Sequence, residues 1–179
     1  MSSIVTFTGK HFDPTAPKEN LIDLSDIGHA LSLICRGNGH VKYFYSVAQH
    51  SIACCREAQA RGYSDRVQLA CLLHDASEAY MSDVTRPVKA LLTEYLKVEE
   101  NLQNMIWNKY LKTPLTKEEK QQVFEVDDDM LAYEFAKIMP EKIRDTEVKL
   151  KADIQCEFKI MSEVEDEFLE LAKTYVQFL

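Results

Sequence analysis

Five consecutive residues, Leu69-Ala70-Cys71-Leu72-Leu73, leave no polar face on a helix, and they follow Ser64 and Asp65, either of which can cap a helix start. A helix of that kind in a chain that stays in water has to be surrounded by others, so the remaining sequence must wrap around it. The flanking patterns supply the wrapping. Ile27, Ala30, Leu31 and Ile34 follow i, i+3, i+4, i+7 spacing after Ser25 and Asp26, and Gly37 and Gly39 end that helix. Ser46 to Arg61 carries Val47, His50, Cys54 and Ala58 on one stripe and stops at Gly62. After Pro87, Val88 to Leu111 reads as one long amphipathic helix. Another begins at Thr116, where Glu119 completes a capping box, and stops before Pro140; a last one runs from about Ile160 to Phe178. Ahead of them all, Ile4 to Thr8 alternates weakly up to Gly9, the mark of a short strand or hairpin arm. The expected fold is all-α, one helical bundle over residues 1–179. Its core lies over about 20–140, with a C-terminal helical extension over about 158–179, while Glu141 to Glu157 fits no single pattern.

Charge and cysteine usage narrow the setting. The 21 basic and 29 acidic residues leave a formal charge of -8, which supplies no basic track for a long polyanion and argues against a nucleic-acid polymer as partner. Cys35, Cys54, Cys55, Cys71 and Cys156 form no C-x-x-C pair, and buried reduced thiols in a cytoplasmic protein are the simplest account. Met1 to Lys10 lacks the pattern of a secretory leader, and no stretch approaches the ~18 apolar residues of a membrane span, so no membrane partner is expected.

Several apolar stripes carry groups that are unfavourable to bury. His50 lies between Val47 and Cys54, and His74 shares a stripe with Val67, Cys71 and Met81 and is directly followed by Asp75. In the helix before Pro140, a seam through Phe124, Leu131, Phe135 and Ile138 places Asp128 inside it and turns Asp127 and Asp129 to other faces. Blander readings exist: a hydrogen-bonded core histidine, or a helix slipped by one position with all three acids in water. Two imidazoles and two carboxylates converging in a helical core form a mixed N and O donor set for one divalent ion. Imidazole suits Zn, Ni, Co, Mn or Fe, and carboxylate keeps Mg in play. On a continuous helix His74 and Asp75 point about 100° apart, and Glu78 returns to the His74 face at i+4. Glu78 is thus placed to exchange a proton with water or a leaving group, its alternative being a salt bridge to Arg86 or Lys89.

His50, then His74-Asp75, then the distant Asp128 resemble the signature of the HD-domain metal-dependent phosphohydrolases. Two longer stretches are more specific. The first is Asp26-Ile27-Gly28-His29-Ala30-Leu31-Ser32 running to Cys35-Arg36 and Tyr45-Ser46-Val47-Ala48-Gln49-His50-Ser51. The second is His74-Asp75-Ala76-Ser77-Glu78 running to Pro87-Val88-Lys89. They resemble the YfdR and YfbR group of bacterial and phage 5'-deoxynucleotidases and the related phage dATP triphosphohydrolases, over about Val5 to Phe135. The resemblance implies an HD-type helical bundle in which His50, His74, Asp75 and Asp128 hold a divalent metal. Glu78 then stands as the catalytic carboxylate, Asp83 as a second acid near the scissile phosphate, and Arg36 and Lys89 as substrate-binding cations. Where many relatives place Trp or Phe after the arginine, this chain has Gly37.

The implied activity is metal-dependent hydrolysis of the 5'-phosphate ester of a small deoxynucleotide, a dNMP in the first reading. A dNTP triphosphohydrolase releasing tripolyphosphate is the alternative, and a non-catalytic nucleotide- or metal-binding module a further one. Relatives form dimers or larger rings, so the exposed faces of the Val88 to Leu111 helix and of the last helix are candidates for a homo-oligomer contact.

Overall fold

The computed structural model describes residues 3–141 and 148–178. Among them are eight α-helices and one two-stranded antiparallel sheet, β1 (Ile4–Val5) with β2 (His11–Phe12), paired Ile4 to Phe12 and Val5 to His11. The all-α expectation with a short N-terminal hairpin therefore holds. No helix of the described residues is long and apolar enough to cross a membrane.

Helices α1 (Leu24–Leu33), α2 (Val47–Ala60), α3 (Asp65–Leu72), α7 (Lys117–Ile138) and α8 (Met161–Phe178) form the body of the bundle, with α2 packed along α3 and α1 along α8. Leu69, Ala70, Cys71, Leu72 and Leu73 are all fully buried, as a helix without a polar face requires. α1 and α8 approach closely at Gly28, where a Cβ would come within 3.1 Å of Leu169 and Phe168. The apolar stripe of α8, Val164, Phe168, Ala172 and Tyr175, is buried in this core, so that face serves the chain's own packing.

Caps fall where side-chain chemistry directs them. Ser64 accepts the Val67 N–H, and Thr116 with Glu119 forms the reciprocal box. At α1 the cap is Asp23, not Ser25 or Asp26: Asp23 accepts the Ser25 N–H, and buried Asp26 instead accepts the Thr8 N–H and hydroxyl, tying the hairpin to the helix. Phe12 of the hairpin is fully buried and stacks on Tyr80, with ring centroids 4.1 Å apart; the Tyr80 hydroxyl accepts the Asp23 N–H.

Two helical expectations change. The region read as one helix from Val88 to Leu111 is α5 (Arg86–Lys89), an interruption, and α6 (Thr93–Leu111). Pro87 starts α5, and Leu92, at φ -105° and ψ 68°, breaks the hydrogen-bond ladder. Helix α3 stops at Leu72, and a tight turn separates it from α4 (Glu78–Met81). Within the unassigned span Glu141 to Glu157, residues 142–147 lie outside the described residues; the remainder from Val148 is irregular. Its attachment is polar: buried Glu57 accepts the backbone N–H groups of Lys151 and Ala152 and the Arg61 Nε–H.

Candidate metal centre

His50 reaches the centre of the bundle because α2 starts where it does. Ser46 accepts the Gln49 N–H and Gln49 returns a bond to the Ser46 N–H, which fixes the first turn and leaves His50 fully buried. His74 and Asp75 lie on the turn after α3, where i to i+3 bonds replace the α-helical ladder: Ala76 N–H to Leu73 O and Glu78 N–H to Asp75 O. The 100° divergence expected on a continuous helix therefore does not apply, and the two side chains converge. The same turn removes the i+4 argument for Glu78, although Glu78 still faces the cleft.

Four donor atoms meet at one point. His50 Nε2 is 3.2 Å from His74 Nε2, 3.1 Å from Asp127 Oδ1 and 3.9 Å from Asp75 Oδ2. His74 Nε2 is 3.2 Å from Asp75 Oδ2 and 3.5 Å from Asp127 Oδ1. Bonds of ~2.0–2.2 Å around one ion separate neighbouring donors by ~3.0–3.6 Å; the pairs at 3.1, 3.2, 3.2 and 3.5 Å fall in that range, and His50 to Asp75, at 3.9 Å, lies just outside it. His50, Cys54 and His74 also bring three donors within 4.8 Å and could hold a metal ion. Cys54 Sγ, however, lies 3.7 Å from His50 Nε2 and 4.0 Å from Nδ1, over the ring and not along the Nε2 lone pair, which makes Asp75 and Asp127 the better partners.

The fourth donor is Asp127, one position before the expected Asp128. The buried stripe of α7 is Val123, Val126, Met130, Glu134 and Ile138, rotated by one residue from the expected seam; Phe124 is 59% exposed. Asp127 flanks that stripe, while Asp128 is 40% exposed and pairs with Arg86 at 3.3 Å. The large apolar side chains Phe124 and Phe135 drew the seam away from the smaller valines that are packed inside.

Glu134 carried no signal in the pattern because it is a carboxylate on a core position. It is fully buried, 2.8 Å from His50 Nδ1, and accepts the Tyr45 hydroxyl at 2.9 Å. On the other ring, His74 Nδ1–H donates to the Cys71 carbonyl at 2.7 Å. Both imidazoles are thereby fixed with Nε2 as the free lone pair, the arrangement that orients a histidine toward a metal. Glu134→Leu is expected to weaken metal affinity about 10- to 100-fold in a chelator competition, with Glu134→Gln retaining more of it; equal affinity in all three proteins would show that Glu134 only fills space.

Protons and a cation compete for the same nitrogens. Burial pulls the His74 imidazole down, but Asp75 and Asp127 outweigh it and hold it well above its ordinary value; His50 is raised as well, where Glu134 and Asp127 overcome burial and Arg36. Burial works against ionised Asp75 and Asp127, yet the imidazoles keep both carboxyls well below the usual range. A group with a raised pKa stays protonated further up the pH scale, so metal affinity is expected to rise with pH from about 6 upward. Mn affinities at about pH 6 and about pH 8.5 check this, and a flat profile would remove the imidazoles from the donor set.

Beside the four donors opens a cleft of about 330 Å³. Glu78 is only 5% exposed, and its Oε2 has no hydrogen-bond partner among the described residues. Burial, then Asp75 and Asp83, push its carboxyl well above the ordinary value. Asp83 is raised too, chiefly by burial. Arg36 follows α1 in a tight turn, its N–H bonded to the Tyr45 carbonyl; its guanidinium is buried, 3.5 Å from Asp75, with Nε unpartnered among the described residues. Lys89 reaches in from α5, 2.7 Å from Glu99 and 3.9 Å from Glu78. The structure thus gathers His50, His74, Asp75, Glu78, Asp83, Arg36 and Lys89 around one place and leaves only Asp128 outside.

No family model matches the chain. Among curated proteins it is 41% identical over 110 residues to the uncharacterized protein YfdR of Escherichia coli (strain K12), covering 62% of this chain and 59% of that protein. It is 38% identical over 101 residues to an uncharacterized protein of Rhodobacter capsulatus, covering 53% of this chain and 51% of the relative. The chain thus spans little more than half the length of the curated relatives it matches.

Proposed function

We propose that the protein is an HD-type, divalent-metal-dependent phosphohydrolase that removes the 5'-phosphate from deoxynucleoside monophosphates. The observation that supports this reading is the four-donor cluster opening onto a cleft that holds both a buried guanidinium with an unpartnered Nε–H and the buried Glu78 carboxyl with an unpartnered oxygen, among the described residues. Polar hydrogens without partners in a buried site are unfavourable unless a ligand accepts them, and phosphate oxygens are suited to Arg36.

His50, His74, Asp75 and Asp127 would hold the ion. A divalent cation there neutralises phosphate charge and lowers the pKa of water. Arg36 and Lys89 bind the phosphoryl oxygens and stabilise the charge that grows on them as water adds to phosphorus and the bond to the 5' oxygen breaks. Glu78 gives its proton to the departing 5' oxygen, and Asp83, beside it in the cleft, accepts the proton that water releases.

Arg86 is engaged by Asp127 at 3.4 Å and Asp128 at 3.3 Å, and Lys89 by Glu99 at 2.7 Å, so the unpartnered Nε–H of Arg36 is the donor freest to meet phosphate, and so few free cations favour a monophosphate over a triphosphate. Phosphate release from a dNMP panel with added Mn, Co, Mg or Zn, alongside matched dNTPs with products separated by chromatography, tests the reading. Orthophosphate and deoxynucleoside from dNMPs are expected. Tripolyphosphate from dNTPs alone would change the substrate, and no turnover by metal-loaded protein would end the enzymatic reading.

A further inference from the structure

Asp127, Leu131 and Phe135 stand at i, i+4 and i+8 on α7, and all three line the cleft. With 1.5 Å of rise per residue, this row climbs about 12 Å from the donor cluster to the cleft mouth. It begins at a carboxylate beside the proposed ion, passes a half-buried aliphatic side chain and ends at a half-buried ring. Val84, from the loop ahead of α5, and Pro87, in its first turn, add apolar surface to the same cleft; the Arg86 guanidinium beside them is paired with Asp127 and Asp128.

Phe135 is also held in place. Its ring lies 5.9 Å from the Arg36 guanidinium, a cation–π distance, and Gly37 sits beside it in a left-handed conformation at φ +58°. A Cβ on Gly37 would meet Phe135 Cζ and Val41 Cγ1 at 3.7 Å, ordinary van der Waals distance, so it is the left-handed backbone and not lack of space that favours glycine beside the ring. A half-exposed aromatic ring in a cleft whose inner end is ionic fits a ligand that is charged at one end and planar at the other.

We infer that Leu131 and Phe135 seat the nucleobase, which makes Phe135 the residue that separates a nucleotide from a bare sugar phosphate. The inference rests on the phosphohydrolase reading and adds to it a recognition element on α7. The base stacks on Phe135 while the phosphate meets Arg36, whose guanidinium lies 5.9 Å from that ring. The cleft volume lies at the small end of the ~300–1,000 Å³ range for small-molecule sites, enough for one mononucleotide.

The test compares dAMP with deoxyribose 5-phosphate on the Mn-loaded full chain, by kinetics and by equilibrium binding, in wild type, Phe135→Ala and Phe135→Trp. The wild-type chain is expected to favour dAMP. Phe135→Ala should reduce kcat/KM for dAMP about 5- to 150-fold, mainly through KM, and by a clearly larger factor than for deoxyribose 5-phosphate, while Phe135→Trp keeps the preference. Equal efficiency on both compounds in wild type, or an undiminished dAMP preference in Phe135→Ala, overturns the seat and leaves the phosphohydrolase reading standing. Preferential dAMP binding that Phe135→Ala abolishes, without phosphate release from either compound, keeps the seat and overturns the hydrolytic reading. Neither binding nor turnover overturns both.

Discussion

Asp127→Ala is expected to lose most of its bound metal, with affinity at least ~100-fold below wild type, while Asp128→Ala binds metal within a few-fold of it. Asp127 Oδ1 lies 3.1 Å from His50 Nε2 and 3.5 Å from His74 Nε2, whereas Asp128 pairs with a surface arginine. Metal content after dialysis, measured on both variants at equal protein concentration, separates the two positions. Because they are adjacent on one helix, the pair also reads the rotation of α7. Metal lost from Asp128→Ala and kept by Asp127→Ala would mean that the helix presents a different face to the histidines.

Glu78→Gln is expected to keep its metal and lose turnover by about 10²- to 10⁴-fold, the range for removal of a general acid or base. The substitution preserves size and places a neutral group where burial already disfavours the charged carboxylate, so folding is expected to change little. The sign of the pH dependence follows from the raised pKa: the protonated form is the donor, and it is depleted as pH rises through that value. The wild-type kcat profile should therefore fall on its alkaline side, and Glu78→Gln should lack that limb. Metal lost in parallel with turnover would make Glu78 a ligand; turnover within a few-fold of wild type would remove it from the chemistry.

The helices with clear caps and one apolar stripe could be read from sequence to within a residue or so. Ser46 and Thr116 announce α2 and α7, and a stretch such as Leu69 to Leu73 has nowhere to go but the interior. His50, His74 and Asp75 were legible because a polar group on an apolar stripe needs a reason to be there. The rotation of α7 was not, since hydropathy counts Phe124 as core and Glu134 as surface, and the fold reverses both. What reverses them is tertiary: the Tyr45 hydroxyl and His50 Nδ1 offer Glu134 two buried partners, one from the loop before α2 and one from α2 itself, that no pattern along α7 can display. The turn through His74 and Asp75 was hidden for a related reason. Its residues have helical spacing, and only the i to i+3 bonds after Leu73 show that the ladder has ended. Phe135 was counted as core in sequence, and its place in the cleft depends on Gly37 approaching from a distant loop.

Helix α4 has four residues, too few to keep its own orientation. Glu78 is its first residue and Tyr80 its third, so whatever grips the tyrosine aims the carboxyl. That grip comes from Phe12 and from the amide of Asp23, both far from Glu78 in sequence. The N-terminal hairpin is then less an ornament on the bundle than its gunsight. Removing the first dozen residues takes Phe12 from Tyr80, so a shortened chain is expected to hold the Glu78 carboxyl less firmly in the cleft while His50, His74, Asp75 and Asp127 keep their own contacts.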